Sequence, residues 1–240
     1  MRIGVYGGSF NPVHAGHLIA AECCREQGRL DRVLFVPAAI PPHKQAQRLA
    51  EAADRVAMLQ LAVGGQDAFA VSTVEIDRGG VSYTIDTLAA LAERHPGDDL
   101  VLMLGPDALA GLPTWRDPRG IADRCELLAV EREALDDGAT LAHEAGLADL
   151  LGRERLDQII ATRVRMPAIG IRASDLRTAV AAGRSIRYRT PRAVEAFIAS
   201  HGLYREQGSP RPYGRSACTG TAGTQRGAAR APEQAYDAKR

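Results

Sequence analysis

The chain reads as an α/β protein, a Rossmann-like open parallel sheet with helices on both faces, and three observations predict it. Short apolar runs alternate with helical patterns along most of the length. One of those runs, "VLML" before Gly105, is apolar at successive positions, as a strand covered on both faces must be. Finally, the first run, "RIGVY", leads through Gly7 and Gly8 into a helical stretch, the strand–turn–helix junction of a β/α unit.

The elements follow in order. "RIGVY" is the first strand, and a helix begins near Ala15 and runs through "AAECCREQG". "RVLFVP" is the second strand and "ADRVAMLQLAVG" the next helix. "FAVSTVEI" reads as the third strand, and "YTIDTLAALAERH" has helical periodicity with Ser82 placed as its N-cap. "LVLML" is the fourth strand, followed by a second polar and helical stretch. Residues 127–130 and 158–162 supply further strand-like runs, and residues 173–182 and 191–201 two more helices. The sheet is expected to hold five or six strands.

At 240 residues with 45% hydrophobic content, one domain with a large core is expected over residues 1–205. Residues 206–240 have a different composition: no Ile, Leu, Val, Met, Phe or Trp, but five Gly and three Pro. Such a segment buries too little apolar surface to offset the entropy of ordering, so a solvated, disordered tail is expected. Its six Arg or Lys against three Asp or Glu leave a weak RNA or partner contact as the alternative. A net charge of +1 gives no field suited to nucleic acid, and no apolar run is long enough to span a membrane. Cys23, Cys24, Cys125 and Cys218 lack CxxC spacing and read as reduced, structural thiols of a cytoplasmic protein. A homo-oligomer is allowed by this surface.

The chemistry gathers where strands end. "GGSFNPVHAGH", Gly7 to His17, is neither a Walker A loop, which needs Lys before Ser or Thr, nor a G-x-G-x-x-G turn. What it offers is a Gly-Gly turn open to close backbone approach and a helix start whose amides attract anions. His14 and His17 lie one turn apart, so both imidazoles can face one anion. His14 also reads as a helix cap and His17 as a half-buried helix histidine. The pairing behind a glycine turn, at the strand edge where open α/β sheets bind ligands, favours the anion.

Other stretches add polar groups. Two prolines stiffen "IPPHKQ" and hold Lys44 out as a compact cation, unless it is a plain loop lysine. First-turn amides around Thr84 can receive a carboxylate. Asp107, behind the strand "VLML", can accept hydrogen bonds from hydroxyl groups or cap a helix. Ser174 and Arg177 share one face of a helix start, again a geometry that receives anions. Trp115, the single tryptophan, suits either a core position or a stacking platform.

"GGSFNPVHAGHL" resembles the G-x-F-x-P-x-H-x-G-H element of the nucleotidyltransferase superfamily whose hallmark is an HxGH or TxGH site. With "PPHK", "SYTIDTL", "GPDAL", "LPTW" and "IRASDLR" in that order, the chain resembles bacterial nicotinate-nucleotide adenylyltransferases over roughly Arg2 to Arg205. The resemblance implies adenylyl transfer from ATP to nicotinate mononucleotide, with Mg²⁺ held mainly by ATP phosphates. It implies that His17, His14, Lys44 and Arg177 are catalytic, and that Gly7, Gly8, Ser9, Phe10, Asp107 and Ser174 bind ATP. Asn11, Tyr83, Thr84 and Trp115 would then bind the nicotinate nucleotide. The chain departs from the family pattern at Pro106 and at Arg172, which stands where the family has a hydroxyl residue. Nicotinamide mononucleotide or another phosphorylated acceptor is the rival substrate, and a nucleotide-sensing module the rival outside enzymes.

Overall fold

A computed structural model describes residues 1–41, 49–132 and 140–205. Its strands are β1 (Arg2–Gly8), β2 (Arg32–Pro37), β3 (Phe69–Val71), β4 (Asp99–Leu104), β5 (Glu126–Arg132) and β6 (Val164–Met166). They form one six-stranded parallel sheet in the order β3-β2-β1-β4-β5-β6. The order reverses between β1 and β4, so the crevice beyond their C-terminal ends is the topological switch point at which doubly wound sheets bind ligands.

Alternation along the strands sends side chains to two separate cores. Val33 and Phe35 of β2, with Val101 and Met103 of β4, face one layer. That layer is closed by α1 (Ala15–Gln27), α2 (Ala52–Val63), α9 (Ala173–Ala181) and α10 (Arg192–Ser200). Leu34, Val36, Leu100, Leu102 and Leu104 face the other. There they meet α3 (Val74–Arg78), α4 (Thr84–Arg94), α6 (Pro118–Arg124) and α8 (Arg153–Ala161). Helices α5 (Pro106–Gly111) and α7 (Thr140–Leu151) complete the set. Helices therefore cover both faces, as the apolar strands require. None of the helices in the described residues is long and apolar enough to cross a membrane.

Two strand expectations are corrected. In "FAVSTVEI" only Phe69–Val71 is strand, and Val74–Arg78 turns into a helix that ends at Gly79, φ +68°. β3 is an edge strand bonded to β2 alone, and its pairing ends with Val71 opposite Phe35 and the Ser72 N–H on the Phe35 carbonyl. Residues 158–162 are not a strand: residues 158–161 close α8, whose Leu156 and Ile159 lie three apart on one buried face. The strand is the next segment, where Val164 and Met166 are buried around an exposed Arg165. Ser82 does not cap α4 either. Tyr83 holds the N-cap position, while Ser82 Oγ accepts the Ala39 N–H at 2.9 Å.

Candidate active site

The Gly-Gly turn stands at the end of β1, beside the switch point. A methyl group placed on Gly7 would meet nothing within 4 Å, so the backbone there borders open space that a ligand's phosphates can approach. Phe10 sits at φ +43° and is 1% exposed. Its ring enters the core against Tyr6, Phe35 and the edge of His17, at centroid distances of 5.5, 5.7 and 5.1 Å. Only the backbone of Phe10 is left to face a ligand. Ser9, partly exposed, stands between the glycines and this anchor.

His14 and His17 come together at the start of α1. His14 is the N-cap, in extended conformation and buried, and His17 is the third helical residue. The His14 N–H donates to Nδ1 of His17 at 3.2 Å, and the rings stack with centroids 3.7 Å apart. An imidazole that accepts at Nδ1 carries its hydrogen on Nε2. The cap and the anion readings of His14 are thus compatible: the cap position is what aligns the second ring.

Asn11 is a hub of the loop. It is 1% exposed, its Oδ1 accepts from Ala50 N–H at 3.1 Å and from the Tyr204 hydroxyl at 2.8 Å, and its carbonyl accepts from Arg177 Nη1 at 2.9 Å. Arg177 therefore reaches from α9 to the β1–α1 loop, which brings the last predicted anion site beside the first. Ser174 is exposed in the first turn of α9 and donates to Asp175 Oδ1 at 3.2 Å; Arg172 is the N-cap. Asp107 is exposed in the first turn of α5, just past the end of β4. Gly105 holds that helix's N-cap, so Asp107 is not the cap, and Pro106 occupies the first helical position, where its missing N–H costs nothing. Lys44 lies outside the described residues.

Tyr83, Thr84 and Trp115 form a second group. Tyr83 caps α4 and Thr84 opens it, and both they and Trp115 are half-buried. The guanidinium of Arg116 lies 4.7 Å from the Tyr83 ring centroid and 3.5 Å from Asp86 Oδ2. A cation thus stands over the face of the Tyr83 ring. Sequence reasoning missed Arg116, although its place beside Trp115 was the available signal. It also missed Tyr204, whose role depends on a contact 193 residues away.

Among the described residues, no three His, Cys, Asp or Glu side chains cluster as a metal cage. The cationic and donor groups gathered at the strand ends suit a polyphosphate.

Comparisons with known proteins agree with this arrangement. A family profile described as cytidylyltransferase-like matches residues 5–179. A protein of Thermomicrobium roseum named "Probable nicotinate-nucleotide adenylyltransferase" is 44% identical over 204 residues, covering 85% of this chain and 92% of the relative. One of the same name from Thermus thermophilus is 42% identical over 205 residues, covering 85% and 100%. The solved structure of Plasmodium falciparum nicotinic acid mononucleotide adenylyltransferase complexed with NaAD superposes with a TM-score of 0.63 at 16% identity, covering 85% of this chain and 97% of that one. That last likeness concerns the fold.

Proposed function

The chain belongs to the nicotinate-nucleotide adenylyltransferase family of cytidylyltransferase-like proteins, and from that premise we propose that it adenylylates nicotinate mononucleotide with ATP, giving deamido-NAD and pyrophosphate. An oxygen of the acceptor's 5′-phosphate attacks the α-phosphorus of ATP. The bond from that phosphorus to the oxygen bridging the β-phosphate breaks, and pyrophosphate leaves with the electron pair. No covalent protein intermediate is needed, because such a transfer is chiefly positioning and stabilisation of spreading charge.

The observation that carries this reading is the stacked His14–His17 pair at the end of β1. With Nδ1 of His17 engaged by the His14 N–H, Nε2–H is the donor for a non-bridging oxygen of the α-phosphate, where charge accumulates in the transition state. His14 is its companion. Arg177 spends one of its five N–H donors on Asn11 and keeps others for the β- and γ-phosphates and the leaving pyrophosphate. Lys44 acts with it. The Gly7–Phe10 backbone and Ser174 hold the phosphates, and Asp107 accepts from ribose hydroxyls. Asn11 contributes by shaping the loop, while Tyr83, Thr84 and Trp115 receive the pyridine ring and its carboxylate.

The donor set fits Mg²⁺ carried on the ATP phosphates better than a protein cage, since the groups described here bind anions. The ion would withdraw charge from the phosphate oxygens and so ease attack. Residues 1–205 constitute the catalytic unit in this reading, and residues 206–240 an appended tail.

The test is pyrophosphate release with ATP, Mg²⁺ and either nicotinate or nicotinamide mononucleotide. Release with the acid, exceeding that with the amide, is expected. Absence of release with both overturns the proposal.

A further inference from the structure

Arg55, in the first turns of α2, is 2% exposed, yet no carboxylate lies within ion-pairing distance of it among the described residues. A buried guanidinium without an acid is costly and demands other partners. Here they are main-chain carbonyls. Nε donates to Ala50 at 3.1 Å, Nη1 to Ser9 at 3.1 Å and Ala38 at 2.7 Å, and Nη2 to Ala39 at 3.5 Å. Burial pulls the guanidinium below its ordinary range, with Tyr204, Glu51 and Glu75 opposing that.

The partners are not a random set of carbonyls. Ser9 belongs to the glycine turn after β1, and Ala38 and Ala39 to the loop after β2. In a trans peptide the C=O and the following N–H point opposite ways. A Ser9 carbonyl turned onto Arg55 therefore aims the Phe10 N–H away from it, and that N–H bonds to none of the described residues. On the β2 side, the Ala38 carbonyl meets Arg55 while the Ala39 N–H donates to Ser82 Oγ. One side chain thus sets the orientation of two peptides, each in a loop at the C-terminal edge of the sheet.

We infer that Arg55 is a positioning residue for the triphosphate site, holding the Ser9 and Ala38 peptides from the core side so that backbone donors of the glycine turn face the nucleotide. This rests on the ATP-binding reading of that turn. A lysine keeps the charge but has no planar fork to reach four carbonyls from one place.

Equilibrium binding of ATP by calorimetry, which needs no acceptor and no turnover, separates this inference from the identity of the reaction. The full chain carrying Arg55→Lys, and in parallel Arg55→Met, is compared with wild type, with nicotinate mononucleotide titrated as the second ligand. Arg55→Lys is expected to weaken ATP about tenfold, the scale of a misplaced contact set, while acceptor binding stays within about twofold. Millimolar methylguanidinium is expected to recover part of the ATP affinity of Arg55→Met. The inference is overturned if folded Arg55→Lys binds ATP within twofold of wild type, or if both ligands weaken equally, as general loosening of the fold would cause.

Discussion

His14 and His17 stack with their ring planes 27° apart, and the backbone N–H of the first donates to the second ring at 3.2 Å. The hydrogen bond selects one tautomer, and the neighbouring ring, with Phe10 at its edge, limits how far the imidazole can rotate. A donor that needs no reorganisation at the moment of reaction is the kind that lowers a barrier most.

His17→Ala should therefore lower kcat by about 10² to 10³, the loss expected for one donor of this type. ATP affinity should change far less, since glycine-turn amides and Arg177 remain. Steady-state kinetics with circular dichroism as a folding control checks this; a variant turning over at near wild-type rate would remove His17 from the mechanism.

The sequence was informative wherever chemistry follows local order. The β/α alternation, the glycine turn and the histidines one turn apart all depend on residues within about ten positions, and all are found as expected. Failures came where a segment's fate depends on distant neighbours. "QII" in residues 158–160 is apolar enough for a strand, but its place against the second core makes it a helix face. Nothing in "ADRVAMLQ" separates Arg55 from an ordinary solvated cation, because its partners lie up to 46 residues away. Nothing around Asn11 shows that it is tied to Tyr204 and Arg177, because both come from the far end of the chain.

Tyr204→Phe tests that closure. The hydroxyl shares Asn11 Oδ1 with the Ala50 N–H, so its loss leaves the acceptor satisfied and should cost only about 1 kcal/mol. For a domain of this size that is a fall in Tm of about 2–4 °C by calorimetry. Burial pushes the phenol well above its usual range, so the bond persists through neutral and mildly alkaline pH and is lost only as pH rises through the elevated value. A wild-type-like Tm would deny the bond any role.

Arg116→Ala addresses the second group. Its ion pair with Asp86 is exposed and worth little, and an exposed cation–π contact contributes about 0.5–1 kcal/mol. Removing it should unfix the Tyr83 ring and raise KM for the acceptor about two- to fivefold, leaving KM for ATP unchanged. A rise in the ATP value instead would place Arg116 on the wrong side of the site.

The thiols give a prediction that involves no ligand. Burial pushes Cys24 and Cys125 up to about 12, while Cys23, half-buried on the same helix as Cys24, is raised by burial and by Glu26 and Glu22. Reaction requires thiolate, so in the native protein at pH 8 iodoacetamide should leave Cys24 and Cys125 unlabelled and reach Cys23 ahead of both, as read by tandem mass spectrometry. The same shifts link to stability with a definite sign. The folded state holds these protons more tightly than the unfolded chain, so the contribution is present in full below the ordinary thiol range. It falls away as pH rises towards about 12. Urea midpoints should therefore decline above about pH 9, and replacing both residues with Ala should flatten part of that decline. Equal labelling of Cys23, Cys24 and Cys125 would contradict the burial that both expectations rest on.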